Sequence, residues 1–192
     1  MIKALKNKKG MTLTEIIVGG IMFAIFAIAI SSILSPMVLA FMRANDFAEY
    51  NKILDSVGNQ IVSDLVKATG VPTFEPTADN GRGRLTIPIE TADNVVYGIT
   101  QNGALCRIVP TPAGGEEIIE VFPEGFYKGK QIRLEFNNPA RINNVNVPGC
   151  YSIVVHVQPR AGGNTFGLSG SDLSREYLAR PLVTPPTPTP PP

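Results

Sequence analysis

The sequence predicts an α+β protein in which a long N-terminal helix packs on an antiparallel β-sheet domain. Three observations carry this. An uncharged run extends from Ile16 to Met42, an apolar stripe at helical spacing follows from Phe47, and short β-branched runs punctuated by Gly, Pro and Asn fill most of the remainder. The 192 residues have room for one ordinary domain with an appendage. With 44% apolar residues the chain can build a core.

Residues 1–10 read as a basic leader, with Lys3, Lys6, Lys8 and Lys9 and no acid. A helix is expected over 11–69. Its segment 16–42 would extend about 40 Å, enough to cross a hydrocarbon layer about 30 Å thick. Helix is the state that closes the backbone hydrogen bonds of such a span internally. The preceding lysines place the N-terminus in the cytoplasm. Pro36 should kink this helix or release backbone hydrogen bonds near Ser32, and Gly19-Gly20 would let a neighbouring helix approach closely. Beyond the span, Phe47, Tyr50, Leu54, Val57, Ile61, Leu65 and Ala68 recur in steps of three and four, one stripe of an amphipathic helix. Gly70 and Pro72 supply the stop.

Residues 70–180 are expected to form an extracytoplasmic β-rich domain. Residues 71–84 read as a loop. Strands are expected at 85–89, 95–100, 105–109, 118–122, 131–136 and 151–158, with Asn102-Gly103 suited to a tight hairpin turn. No helical period separates them, so neighbours should pair antiparallel. The tail 181–192 holds seven prolines and three threonines. It should be extended and polyproline-like, either a plain end or a stiff spacer or glycosylated stalk.

Glu15 stands at the lip of the apolar run. An isolated carboxylate at membrane depth costs several kcal/mol and marks a function with a partner. If the chain is cut between Gly10 and Met11, the freed amine of Met11 could pair with Glu15 of a neighbour. The plainer reading leaves Glu15 solvated in the headgroup layer. Two other fates fit the run: a secretory signal cut near Ala27-Ile28-Ala29, or an uncut signal anchor.

Lys8-Lys9-Gly10-Met11-Thr12-Leu13-Thr14-Glu15, followed by the apolar helix, resembles the type IV prepilins and pseudopilins. Their hallmark is a basic leader ending in glycine, a hydrophobic residue next and glutamate fifth in the mature chain. The match covers about residues 1–45 and departs from the pattern at Met11, where phenylalanine is most usual. The resemblance implies cleavage after Gly10 by prepilin peptidase and N-methylation of Met11. It implies assembly through the helix with other pilin subunits, a platform protein and an assembly ATPase. The chain would cross the cytoplasmic membrane once and then join an extracellular or cell-envelope filament. Val96-Tyr97-Gly98-Ile99, Leu105-Cys106-Arg107 and Ile132-Arg133-Leu134-Glu135-Phe136 look like minor, tip-associated members. With the chain's length, they point to a minor subunit.

Other chemistry is sparse. Seventeen basic and sixteen acidic residues give a formal charge of +1, but without the leader 13 basic residues face 16 acidic ones. A globally basic nucleic-acid binder is thereby disfavoured; nucleic acid would enter only indirectly, through DNA uptake. Cys106 and Cys150 could form a disulfide closing a loop of about 45 residues, stabilising by about 3–4 kcal/mol in the chain-entropy treatment, or remain thiols. His156 reads as a structural strand residue, and Glu116, Glu117 and Glu120 as a solvated edge. Arg82 and Arg84 are weak grounds for phosphate binding. No nucleotide loop, nucleophile motif, metal spacing or acid/base pair is present, so no enzyme, cofactor or metal site is expected. The reading that competes with the pilin is a signal-anchored cell-surface binding domain that never polymerises.

Overall fold

The computed structural model describes residues 12–76, 83–89, 94–111, 114–123, 125–160 and 172–181. The leader with Gly10 and Met11, and the tail beyond Pro181, lie outside these residues. The fold is α+β as the sequence predicts: one long helix, α1 (Leu13–Leu65), precedes an antiparallel β-domain. The chain divides into two units, Met1–Ala44 and Asn45–Pro192.

In the first unit every described residue of α1 is exposed. The helix runs through Pro36 without a break. Proline has no N–H to give the Ser32 carbonyl, so the ladder loses one rung there while the helix persists. The Ser32 hydroxyl donates to the Ala29 carbonyl at 2.7 Å.

In the second unit, α1 buries Tyr50, Ile53, Leu54, Val57, Gly58, Ile61, Asp64 and Leu65. These positions recur in steps of three and four, so they share one face. The stripe begins one turn later than expected, since Phe47 stays about half exposed. The helix also ends at Leu65 instead of 69. Lys67 and Ala68 donate three residues back, to Asp64 and Leu65, and Thr69 then donates to the Pro88 carbonyl at 2.9 Å. Ala68 is thereby drawn into a β-bridge with Ile89 and cannot continue the helix.

Five strands form an antiparallel meander: β1 (Thr73–Glu75), β2 (Arg84–Ile87), β3 (Val95–Ile99), β4 (Leu105–Pro110) and β5 (Glu116–Glu120). A second sheet places β9 (Tyr151–Pro159) between β6 (Lys130–Asn137) and β10 (Leu173–Ala179). A small hairpin joins β7 (Ala140–Ile142) to β8 (Val145–Val147). The helix stripe shares one core with Leu85, Ile87, Tyr97 and Leu105 of the meander and with Leu134, Ile153, Val155 and Val157 of the second sheet. Burying each large aliphatic side chain contributes about 1.5–3 kcal/mol.

Several elements depart from expectation. The loop 71–84 contains β1, whose Phe74 pairs with Leu85. Strand β5 starts two residues early, because its ladder with β4 runs from Pro110↔Glu116 to Cys106↔Glu120. Val121 N–H still donates to the Leu105 carbonyl of β4 at 3.1 Å, and Phe122 then stacks on Phe126 at 4.5 Å between centroids. The β3–β4 connection is a three-residue loop, not a two-residue turn: Gly103 donates to Thr100, and Thr100 donates to Ala104. Gly103 has φ +75°, and a Cβ there would lie 2.3 Å from that of Gln131. This close approach lets Ile132 N–H reach the Gly103 carbonyl at 2.9 Å, which seats β6 against the turn.

Candidate assembly site

The described part of the site begins at Thr12, which caps α1. Thr12 N–H donates to Glu15 Oε2 at 2.8 Å, the Thr12 hydroxyl donates to the same oxygen at 3.0 Å, and Glu15 N–H returns to that hydroxyl at 3.4 Å. This is a reciprocal capping box, satisfying donors that a helix N-terminus otherwise leaves open. The carboxylate also sits where the helix dipole favours negative charge. Its second oxygen, Oε1, has no hydrogen-bond partner among the described residues and can accept from a cation outside the chain. Among the described residues, one oxygen holds the helix start and the other is without a partner.

Below this cap lies an apolar surface. Among the described residues, eighteen large apolar side chains between Leu13 and Met42 are exposed. At about 1.5–3 kcal/mol each on full burial, they represent several tens of kcal/mol. That exceeds the 5–15 kcal/mol by which a whole domain is typically stable. The helix is long and apolar enough to cross a membrane. A Cβ built on Gly19 or Gly20 would meet nothing within 4 Å, leaving both positions open to a neighbouring backbone.

In the second unit, polar contacts fasten the buried helix stripe. Glu49 accepts from Lys128 at 2.6 Å and Lys130 at 2.9 Å. Those two hydrogen bonds hold its carboxyl below the ordinary carboxylate range. Tyr97 hydroxyl donates to Asp64 at 2.6 Å and accepts from Gln60 at 3.2 Å; burial first, and Asp64 second, push this phenol well above its usual range. Leu105 N–H donates to the Tyr127 hydroxyl at 2.9 Å, and burial raises that group to about 12. Arg175 on β10 binds Asp55 and, at 2.9 Å, the Asn51 side-chain oxygen.

The remaining candidates are not brought together. His156 lies half-buried on β9, with Nε2 3.5 Å from Glu135, while Ile153, Val155 and Val157 face the core. Glu116 takes a two-pronged contact from Arg84 at 2.9 and 3.0 Å, which makes that acid an ion-pair partner as well as part of an exposed edge. Cys106 is buried in β4, whereas Cys150 is half-buried just before β9, its Sγ 3.9 Å from the Tyr151 carbonyl oxygen. The bridge allowed by the spacing is not formed in the structure.

Thr12 is the residue that the reading of Glu15 as an assembly charge passes over. Its signal is the Thr-x-x-Glu spacing before an apolar run. Comparison of the chain with protein-family models, curated proteins and solved structures finds no match.

Proposed function

We propose that this chain is a structural subunit of a type IV pilus or a related pseudopilus for secretion or DNA uptake. Prepilin peptidase would cut after Gly10, and the new amine of Met11 would be methylated. Before assembly the helix would cross the cytoplasmic membrane with its N-terminus inside; afterwards it would line a filament core, with the β-domain outward. The working partners are other pilin subunits, the assembly platform and its ATPase. We place it among the minor subunits on the sequence similarity described above.

The observation that carries the reading is a 53-residue helix whose first part is apolar and exposed on every side, while its second part is buried on one face only. Lipid or a bundle of like helices suits the first part; the β-domain occupies the second. The available Oε1 of Glu15 supplies an acceptor for a neighbour's Met11 amine.

A signal-anchored binding domain is favoured by one observation: Glu15 already has a local task in capping its own helix. N-terminal sequencing and intact mass of the mature protein separate the two. A chain beginning at methylated Met11 supports the pilus subunit, an intact Met1 supports the anchor, and a start near Ile30 means ordinary secretion.

A further inference from the structure

We infer that β5 of one copy of this chain docks against the β7–β8 hairpin of a second copy. The inference rests on the polymerising reading above and names a contact between outer domains. Among the described residues of the second unit, the exposed large apolar side chains are Phe47, Val71, Ile118, Ile119, Ile142, Val145 and Leu178. Four of the seven fall in two places: Ile118 and Ile119, which flank the β5 edge on its two faces, and Ile142 with Val145, cross-strand partners on the hairpin. Both places are exposed in the same chain, at 61% for Ile118 and 64% for Val145, so neither covers the other within one copy.

Each place is also an incomplete sheet. Strand β5 is the outermost of its meander, paired on one side with β4 and exposed at all five residues. The hairpin has two strands of three residues each, a size that is marginal without further packing. Exposed edges of this kind are templates for strand addition.

Charge selects the pairing. Strand β5 carries Glu116, Glu117 and Glu120; Arg84 engages the first, and the other two have no ion-pair partner among the described residues. Residues 137–150 carry Arg141 and no acid, and Arg141 likewise has no ion-pair partner among the described residues. Antiparallel pairing of β5 with itself about Ile118 would set Glu116 against Glu120 twice, and like charges directly opposite are unfavourable. The acidic apolar strand and the basic apolar hairpin are therefore complements. Because the two surfaces differ, the contact is head-to-tail and can repeat; two copies suffice for one such contact, so a scarce subunit can still make it.

The test uses the full chain in the producing cells, with Ile118→p-benzoylphenylalanine as a photo-crosslinker. Illumination should give an adduct of two copies, with the crosslinked peptide mapping to 140–147. Arg141→Glu should reduce that adduct at least about five-fold, and adding E117K/E120K should restore it. No self-adduct, an adduct mapping elsewhere, or an adduct with a different protein overturns the docking. The share of chain in sheared filaments is measured separately. Filaments without the adduct refute this contact and leave the subunit reading standing; an adduct without filaments does the reverse.

Discussion

Thr12 reaches Glu15 through both its amide and its hydroxyl, so the two residues separate a local role from an assembly role. Thr12→Val keeps the amide donor and removes the hydroxyl, an expected cost to the helix start of about 0.5–2 kcal/mol. Glu15→Ala removes the cap and any acceptor for a neighbour's amine. Leaving one member of a desolvated ion pair alone costs about 3–5 kcal/mol. Immunoblots of membrane and sheared-filament fractions should therefore show Thr12→Val retained in filaments and Glu15→Ala depleted from them, with both chains still cut and inserted. Equal depletion of the two variants would reduce Glu15 to a helix cap. Glu49 is the corresponding charge in the second unit. Its folded-state pKa is lowered by Lys128 and Lys130, so its contribution is present above the unfolded value of about 4.3 and fades as pH falls through the folded one. Glu49→Gln should lower stability at neutral pH by about 1–3 kcal/mol. The gap from the parent chain should narrow as thermal melts are taken at progressively lower pH below about 4.3; a gap that did not narrow at all would assign the loss to packing.

At the scale of elements, α1 and β10 meet through a glycine. A Cβ on Gly58 would fall 2.2 Å from the Tyr177 ring, so that ring must shift before any larger side chain fits. Alanine is the better helix former by about 0.5–1 kcal/mol, but overpacking costs about 1–3 kcal/mol and should win. Gly58→Ala is expected to lower the melting temperature, and Gly58→Ala with Tyr177→Ala to respond less than the sum of the two singles. The same contact explains why β10 was hard to read. Leu173, Arg175, Tyr177 and Ala179 share the inward face, but Arg175 interrupts the apolar alternation. It is satisfied by Asp55 and Asn51 across 120 or more residues, which no local pattern reveals. The stripe from Tyr50 to Leu65 and strands β2 to β4 were legible because burial there follows a local period, whereas β1 has only three residues and β5 is exposed at all five. Strands β7 and β8 are too short for a period, and their main trace is Asn143-Asn144, both left-handed at φ +50° and +64°. At the candidate site, the apolar run and Glu15 stood out by charge; the capping spacing was also in the sequence, competing for the same carboxylate.

For the whole molecule, the proposed pilus-subunit role turns on the point that a long apolar helix and a charged leader could not occupy a filament core together. The leader 1–10 contains four lysines and no acid. Each lysine carried to the middle of a hydrocarbon layer costs about 2.5–3.5 kcal/mol, so extracting an uncut chain opposes assembly by roughly 10 kcal/mol or more. The helix itself is content in either place, since lipid and a bundle of like helices are comparably apolar. On the pilus-subunit reading proposed above, cleavage would act as the commitment step, removing the lysines and freeing a Met11 amine for Glu15 of a neighbour. Gly10→Phe should leave a membrane-bound chain that keeps its leader by mass and is absent from sheared filaments, while the β-domain resists protease as in the parent. Gly10→Ala leaves a small residue at the cut and is a poor test. Uncut chains recovered in filaments at the parent's level would sink the mechanism, because the lysines would then have crossed without penalty.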